Sequence, residues 1–197
     1  MKRFVIVLWL LVPVAVAAYH FGPGQRQMEL DVAGALMQEA EELAGSGTWD
    51  AAVETYSEAI SALPEGEKRT ARQLRLARAK AQMLASQLPT AHMDLKGLLD
   101  EVQGDEEASP ELVRETRSSL ANAQYYVTWL MRLEGQPKDV WEPEIEASRQ
   151  HYRVLAENAA AAGDTGAAKG YREDLEGSVR LARMELGELQ GLPLPSQ

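Results

Sequence analysis

The sequence predicts an all-α protein, and three observations support this fold class. After residue 20 the chain is rich in Ala, Leu, Glu, Gln and Arg, which favour helix, whereas Val and Ile become scarce. No segment alternates apolar and polar residues in the manner of a strand. Turn signals containing Gly or Pro recur along the chain and separate amphipathic stretches of helical length.

Seven helices are predicted between these turn signals. They span approximately residues 26–45, 48–62, 67–86, 90–102, 110–133, 142–162 and 165–189. Short turns between long helices are typical of helical hairpins, so the chain calls for a search for internal repeats. A tail, residues 190–197, follows the last helix and contains two prolines that favour an extended conformation.

The N-terminal residues 1–21 have the layout of a targeting segment. Lys2 and Arg3 precede the uncharged, apolar residues 4–18. The aromatic residues Tyr19 and Phe21 at its end favour an uncleaved membrane anchor, whereas small residues near its end also allow signal cleavage. Both alternatives put the bulk of the chain outside the cytoplasm. Residues 22–25, which begin Gly22-Pro23-Gly24, are predicted to form a hinge.

A repeat motif is clearest in residues 33–66. Its members are Gly47, Trp49, Ala52, Tyr56, Ala59 and Pro64. Gly47 suits the turn, Ala52 lets two helices approach closely, and Trp49 and Tyr56 fill the space beside that approach. Pro64 cannot continue a helix and therefore marks the end of the unit.

This spacing resembles the tetratricopeptide repeat (TPR), and the chain is similar to N-terminally anchored bacterial proteins of that family. The resemblance implies a right-handed stack of about three helical hairpins over residues 26–189, with the last helix as a cap. It also implies a concave groove, lined by the first helix of each hairpin, that binds a peptide or a partner protein.

A second, weaker unit spans residues 72–105. Leu88-Pro89 and Ala91 match the turn and the small crossing residue, and Leu95 and Leu98 follow at the expected places. Its first helix carries an apolar face of Leu74, Ala77, Ala81 and Leu84. Strict spacing, however, puts Arg75 and Arg78 in the core, so we expect this helix to be rotated or shifted relative to the family pattern.

Composition and spacing argue against several classes of function. The formal net charge of -10 disfavours a nucleic-acid binder, which needs excess Lys and Arg. The chain has no cysteine, and His20, His92 and His151 are isolated, so neither a metal nor another cofactor is expected. The acidic clusters lack the one-face spacing of metal ligands, and we expect them to be solvated.

Two surfaces are candidates for binding a partner. Asn122, Tyr126 and Trp129 lie at i, i+4 and i+7 and share a helix face, with core packing as the alternative. Arg72 and Arg75 belong to a basic run, and its alternative is a solvated face paired with nearby acids such as Glu65. The other residues of these two groups are Tyr125, Trp141 and Tyr152, and Lys68, Arg69, Arg78 and Lys80.

The expected function is that of a non-catalytic adaptor of the cell envelope that binds other proteins. One alternative is a structural protein that assembles with copies of itself through the aromatic face. Another is an enzyme subunit whose site is not visible in the sequence.

The targeting segment generates a test of location. We expect fractionation to recover the chain in membranes with Met1 retained, because residues 4–18 and the aromatic residues after them suit an anchor. A mature N-terminus near residue 18 would indicate cleavage instead. A full-length chain found only in the cytosol would contradict both alternatives.

Overall fold

A computed structural model describes Trp9 and residues 23–191 of the chain. All regular structure among these residues is helical, and no strand occurs in this part of the chain. The predicted all-α fold class is therefore confirmed. The targeting segment, apart from Trp9, and residues 192–197 of the tail lie outside the described residues.

Eight helices follow one another along residues 23–191. They are α1 Pro23–Gly45, α2 Trp49–Ala62, α3 Lys68–Leu84, α4 Leu88–Gln103, α5 Pro110–Leu133, α6 Lys138–Ala161, α7 Thr165–Arg183 and α8 Leu186–Gln190. Each of the seven predicted helices is present. The beginning of α1, the beginning of α6 and the end of α7 differ from the prediction for physical reasons.

The predicted hinge contributes to a helix. Pro23 to Gln25 belong to the first turn of α1, and Gly22 lies outside the described residues. Proline is tolerated in a first turn because the backbone N–H that it lacks has no partner within the helix there.

The helix α6 begins at Lys138 rather than at residue 142, and Pro143 lies inside it. Trp141, in the first turn, is buried in a core cluster with Trp129 and Ile145. The free energy gained by burying the Trp141 indole exceeds the cost of the backbone hydrogen bond that Pro143 cannot donate. The predicted start was wrong because the contacts of Trp141 cannot be read from the local sequence.

The last predicted helix is interrupted. The backbone at Met184 is extended, with ψ at 140°, and the chain then re-enters a helix at Leu186. Glu185 and Glu188 form a capping box in which each side chain accepts a hydrogen bond from the other residue's backbone N–H. Leu189 is buried, so the turn that the break redirects contributes to the core.

The chain divides into two compact units, residues 1–74 and 75–197. In the first unit, α1 packs against α2 as a helical hairpin. Ala52 and Ala59 have no exposed surface, and Tyr56 is 5% exposed. The small and aromatic residues of the predicted motif therefore lie at a helix contact. Gly47, with φ at 79°, makes the turn between the two helices.

In the second unit α5 packs against α4 and α6, and α7 packs against α6. One core cluster joins α3, α4 and α5. Its buried members are Leu76, Ala79, Met83, Leu88, Ala91, Leu95, Leu98, Leu99, Val102, Leu112, Leu120 and Ala123. The predicted residues of the second repeat, Ala91, Leu95 and Leu98, thus lie in this core.

Arg75 and Arg78 of α3 are only half-buried, although strict repeat spacing would place them in the core. Ala79, which has no exposed surface, precedes Ala91 by the same 12 residues that separate Ala40 from Ala52. Arg75 and Arg78 lie beside this contact and extend to carboxylates on α4. Arg75 Nη1 lies 2.5 Å from Glu101 Oε2, and Arg78 Nη2 lies 3.0 Å from Asp94 Oδ2. The long arginine side chains thus carry both guanidinium groups to carboxylates of α4.

Three small residues hold α5, α6 and α7 together at short range. Ser148 Oγ on α6 donates to the Ala121 carbonyl on α5 at 2.8 Å and lies 3.3 Å from Ser178 Oγ on α7. None of the three residues has exposed surface. Their small side chains permit this approach, and the hydrogen bonds satisfy hydroxyl groups that burial would otherwise leave unpaired.

Arg132 of α5 is buried, yet it contacts the end of α7 rather than a carboxylate. Its guanidinium donates to the backbone carbonyls of Leu181 and Met184 and lies 4.8 Å from the ring centroid of Trp141. The carbonyls at a helix C-terminus carry partial negative charge, and an indole face attracts a cation. The Arg132 side chain therefore supplies hydrogen bonds to backbone carbonyl groups at the end of α7.

Four helix–helix turns share one C-terminal cap. A backbone N–H bonds a carbonyl five residues earlier in Thr48→Leu43, Gln87→Gln82, Gln136→Met131 and Asp164→Ala159. The residue before each of these donors has positive φ, and it is glycine at positions 47, 135 and 163 but Ser86 in the α3–α4 turn. Glycine adopts this conformation without the steric cost that a Cβ brings.

This difference predicts that Ser86→Gly stabilises the protein. We expect the free energy of unfolding to rise by about 0.5–1 kcal/mol, because Ser86 has φ at 60° and glycine removes the Cβ strain. The reciprocal control is Gly135→Ala, which has open space for a Cβ and should lower stability by about 1 kcal/mol. Chemical denaturation measures both, and loss of stability in Ser86→Gly would contradict the explanation.

Candidate functional site

The residues of the predicted basic surface do not form one exposed patch, because they differ in burial and in their contacts. Arg72 lies in the first unit and is 8% exposed. Arg75 is in the second unit and pairs with Glu101 of α4. Lys80, nearer the end of α3, is about half exposed and extends toward α5. Of these three cations, Lys80 therefore offers the most accessible charge.

The predicted aromatic face runs from solvent into the core. Asn122 is exposed, Tyr126 is half-buried and Trp129 is 5% exposed. Trp129 packs in a cluster with Trp141 and with Leu181 of α7, so its role is structural. Only the first two residues of the predicted face can therefore meet a ligand.

Asn122 and Tyr126 line a groove of about 540 Å³ within the second unit. We call it the α3–α5–α7 groove after the helices that form it. Its lining residues are Lys80, Met83 and Leu84 from α3, Arg114, Glu115, Ser118, Ser119, Asn122 and Tyr126 from α5, and Tyr171 from α7. Apolar side chains from α3 thus face a mostly polar surface of α5.

Neither the two serines nor Tyr171 was predicted to belong to a site. Glu115, Ser118, Ser119, Asn122 and Tyr126 follow helical spacing and therefore share one face of α5. That continuous stripe was the available signal. Tyr171 had none, because it is far away in sequence and only the packing of α7 brings it to the groove.

The charges of the groove are loosely held. Lys80 Nζ lies 3.2 Å from Glu115 Oε2, and Arg114 Nη2 lies 3.1 Å from Glu111 Oε1. Both pairs are largely exposed, and such pairs contribute little stability because water screens them. A ligand carboxylate can therefore replace Glu115 beside Lys80, or Glu111 beside Arg114, at a small cost in free energy. The groove thus contains two cations, Lys80 and Arg114, each beside an exposed carboxylate.

Tyr126 and Tyr171 supply the groove with aromatic rings and hydroxyl groups. Burial, and then the charge of Asp174, raises the pKa of Tyr126, so its hydroxyl remains protonated at neutral pH. Tyr126 and Tyr171 can thus contact an apolar side chain through their rings and a polar group through their hydroxyls.

A second cavity of about 910 Å³ adjoins the groove, because Arg114 and Tyr171 line both. It extends between the α4–α5 loop, at Asp105, and the α6–α7 turn, at Asp164. The two cavities together provide a longer concave path within the second unit than a single pocket would.

The two described histidines have polar partners that their sequence positions did not predict. His92 Nε2 lies 3.1 Å from Glu144 Oε2, a carboxylate that only the packing of α6 brings beside this histidine. That contact, set against burial, lowers the pKa of Glu144. Arg117 Nη1 lies 3.2 Å from His151 Nδ1. Among the described residues there is no group of three or more side chains suited to a metal ion.

No protein-family profile, curated protein or solved structure matches this chain. The TPR resemblance therefore stays an expectation, and the groove carries the functional argument. Across residues 23–191, no helix has both the length and the apolar character required to cross a bilayer. The predicted anchor, residues 4–18, lies outside that range.

The contact of His151 with Arg117 predicts a pH-dependent stability. Burial first, and then the Arg117 charge, lowers the pKa of His151 below its ordinary value of 6.5. The unfolded state therefore binds the proton more readily, so stability is complete above pH 6.5 and is lost as the pH falls through the folded pKa.

We expect the free energy of unfolding to decrease as the pH falls below about 6.5, where the histidine of the unfolded chain takes up a proton. The control is His151→Gln, which retains an acceptor for Arg117 but does not titrate. A shallower pH dependence in this variant is the expected result. An identical slope in both proteins would show that His151 is not the responsible group.

Proposed function

We propose that this chain is a non-catalytic protein–protein interaction module of the cell envelope, which holds a segment of a partner protein in the α3–α5–α7 groove. The observation that carries the proposal is the arrangement of Asn122 and Tyr126 on one wall, with Lys80 and Arg114 at its margins. These groups offer an amide, an aromatic surface and cationic charge in one concave site.

A TPR-like architecture is the finer part of the proposal. It is supported by the equal spacing of the buried alanines Ala40 and Ala52 in the first hairpin, and Ala79 and Ala91 in the second. The groove is lined by α3, α5 and α7, which are the first helices of successive helix pairs. That is the arrangement which the resemblance implies for a partner-binding surface.

The chemistry of the groove favours an extended polypeptide segment with an acidic group and an apolar side chain. The amide of Asn122 can both donate to and accept from a peptide group. Tyr126 and Tyr171 offer flat surfaces to the apolar side chain. Lys80 and Arg114 would set the orientation and the association rate, while contacts with the rings would supply most of the affinity.

The proposed location rests on Lys2, Arg3 and the apolar residues 4–18. We assign the domain to the outer side of the cytoplasmic membrane, anchored through this segment, with export after cleavage as the alternative. The overall negative charge makes nucleic acid an unsuitable partner.

Substitution of the groove residues tests this function. Partners are cross-linked in native membranes, captured with the full chain and identified by mass spectrometry. We expect Asn122→Ala and Tyr126→Ala to reduce capture of the same protein by about tenfold, as loss of a central contact typically does. Asn122 is exposed, so its truncation should leave the fold intact, which circular dichroism can verify.

The matched control is Gln150→Ala, which removes an exposed amide from α6 outside the groove. Capture should be unchanged in this variant. If Asn122→Ala and Gln150→Ala capture the partner equally well, the groove is not the binding site. If no protein is captured by the unaltered chain, the proposed function itself fails.

A further inference from the structure

Arg117 of α5 lines the cavity of about 910 Å³ that adjoins the α3–α5–α7 groove, and its described partners are neutral. Its Nη2 donates to Gln103 Oε1 at the end of α4 at 2.6 Å, and its Nη1 lies 3.2 Å from His151 Nδ1 on α6. Arginine can only donate, so this histidine nitrogen accepts and carries no proton. Within residues 23–191, Arg117 therefore has hydrogen-bond acceptors but no carboxylate partner.

Other half-buried arginines of the second unit are paired with acids. Arg75, Arg78 and Arg149 each contact a carboxylate of Glu or Asp. At Arg117, by contrast, burial lowers the pKa, because the cation loses hydration that its two neutral partners do not fully replace. A ligand carboxylate would supply the opposite charge, and the planar guanidinium suits two parallel hydrogen bonds to it.

The wall of the cavity also carries four acids, three of which have partners of their own. Asp105 and Asp164 each accept a nearby backbone N–H at 2.9 Å, and Glu111 pairs with Arg114. The fourth, Glu106, is exposed on the α4–α5 loop. These negative charges repel an anion more strongly the more charge it carries. They therefore favour a single carboxylate over phosphate as the ligand of Arg117.

Much of the remaining wall is apolar. Its apolar members are Val102, Ala108, Val113, Leu155, Ala159, Ala162 and Ala167. Asn158 and Tyr171 add an amide and a hydroxyl group to the same wall. An aliphatic stem can thus lie against the apolar residues while the carboxylate that it carries meets Arg117.

We propose that this cavity binds a carboxylate on a short aliphatic stem, with Arg117 as its receptor. An acidic side chain of a partner protein and a small free aliphatic acid share this chemistry. Arg114 and Tyr171 line both the cavity and the α3–α5–α7 groove, so a polypeptide segment held in the groove can extend to the cavity. The site stands on Arg117 and the cavity wall, and it does not depend on the proposed function.

Titration of the full chain with sodium propionate tests this site. The protein is kept in detergent micelles, at constant ionic strength and at a fixed pH above the ordinary histidine pKa. NMR spectra of protein labelled only at histidine then report binding through the ring of His151, which lies 3.2 Å from Arg117. His92, which does not line the cavity, is the internal reference.

We expect propionate to shift the His151 signals saturably and to leave those of His92 in place. Half-saturation should fall at about 1–10 mM, as is typical of a ligand with few atoms. Inorganic phosphate should bind at least about tenfold more weakly, because the acids of the wall repel its additional charge.

Variants of the cavity connect the signal to Arg117. Arg117→Gln should weaken propionate binding by at least about tenfold, and Arg117→Lys by about threefold, since lysine keeps the charge but not the paired donors. Ala159→Leu narrows the cavity while Arg117 is retained, and it should also weaken binding. The matched control is Arg153→Gln, which removes an exposed cation of α6 outside the cavity and should have no effect.

Distinct results would overturn the proposal. His151 signals that propionate does not move, or moves equally in the unaltered chain and in folded Arg117→Gln and Ala159→Leu, would show that the cavity is not the site. Phosphate binding as tight as that of propionate would reject a single carboxylate as the ligand.

Cross-linking in native membranes identifies the source of the carboxylate. Arg117→Gln should reduce capture of the partner by about tenfold if the carboxylate belongs to that protein, and should leave capture unchanged if the ligand is a free acid. Absence of any captured protein would reject the proposed function, whereas the propionate titration would still decide whether the cavity binds a carboxylate.

Discussion

Close approach between helices through small side chains is the constraint on which the rest of this structure depends. The chain has few large aromatic residues, so its helices must gain contact by lying near one another rather than by filling wide gaps. Ala52 in the first unit, and Ala121, Ser148 and Ser178 in the second, have no exposed surface. In the second unit this approach also brings α7 beside α5 and α6, which is why Tyr171 can line a groove on the surface of α5.

The large side chains then act at a few defined places. Arg132 is the clearest case, because one buried cation satisfies the carbonyls at the end of α7 and stacks on Trp141 of α6. A buried charge is costly unless polar groups surround it, and here the helix end provides those groups. The same contacts accompany the break at Met184, after which α8 places Leu189 in the core. A concave surface lined by residues of both α7 and α8, among them Met184 and Glu188, lies at that break.

The α3–α5–α7 groove arises where one face of α5 leaves the core. Along this face the environment changes from the buried Trp129 through Tyr126 to the exposed Asn122, so one end of the face is core and the other is open to solvent. Along α7, an apolar strip remains partly exposed because the described chain provides no helix to cover it completely.

Sequence alone determined the fold class, the number of long helices and most of their ends. It could do so because Ala52, Gly47 and the recurring turn residues act locally, through backbone conformation and helical periodicity. It also identified Asn122 and Tyr126, whose shared face follows from spacing alone. Only the tertiary structure decided that Trp129 is core, that Arg75 pairs with Glu101 and that Lys80 and Tyr171 complete the groove. These outcomes depend on contacts between residues that lie far apart in the chain, and no local pattern of side chains encodes such contacts.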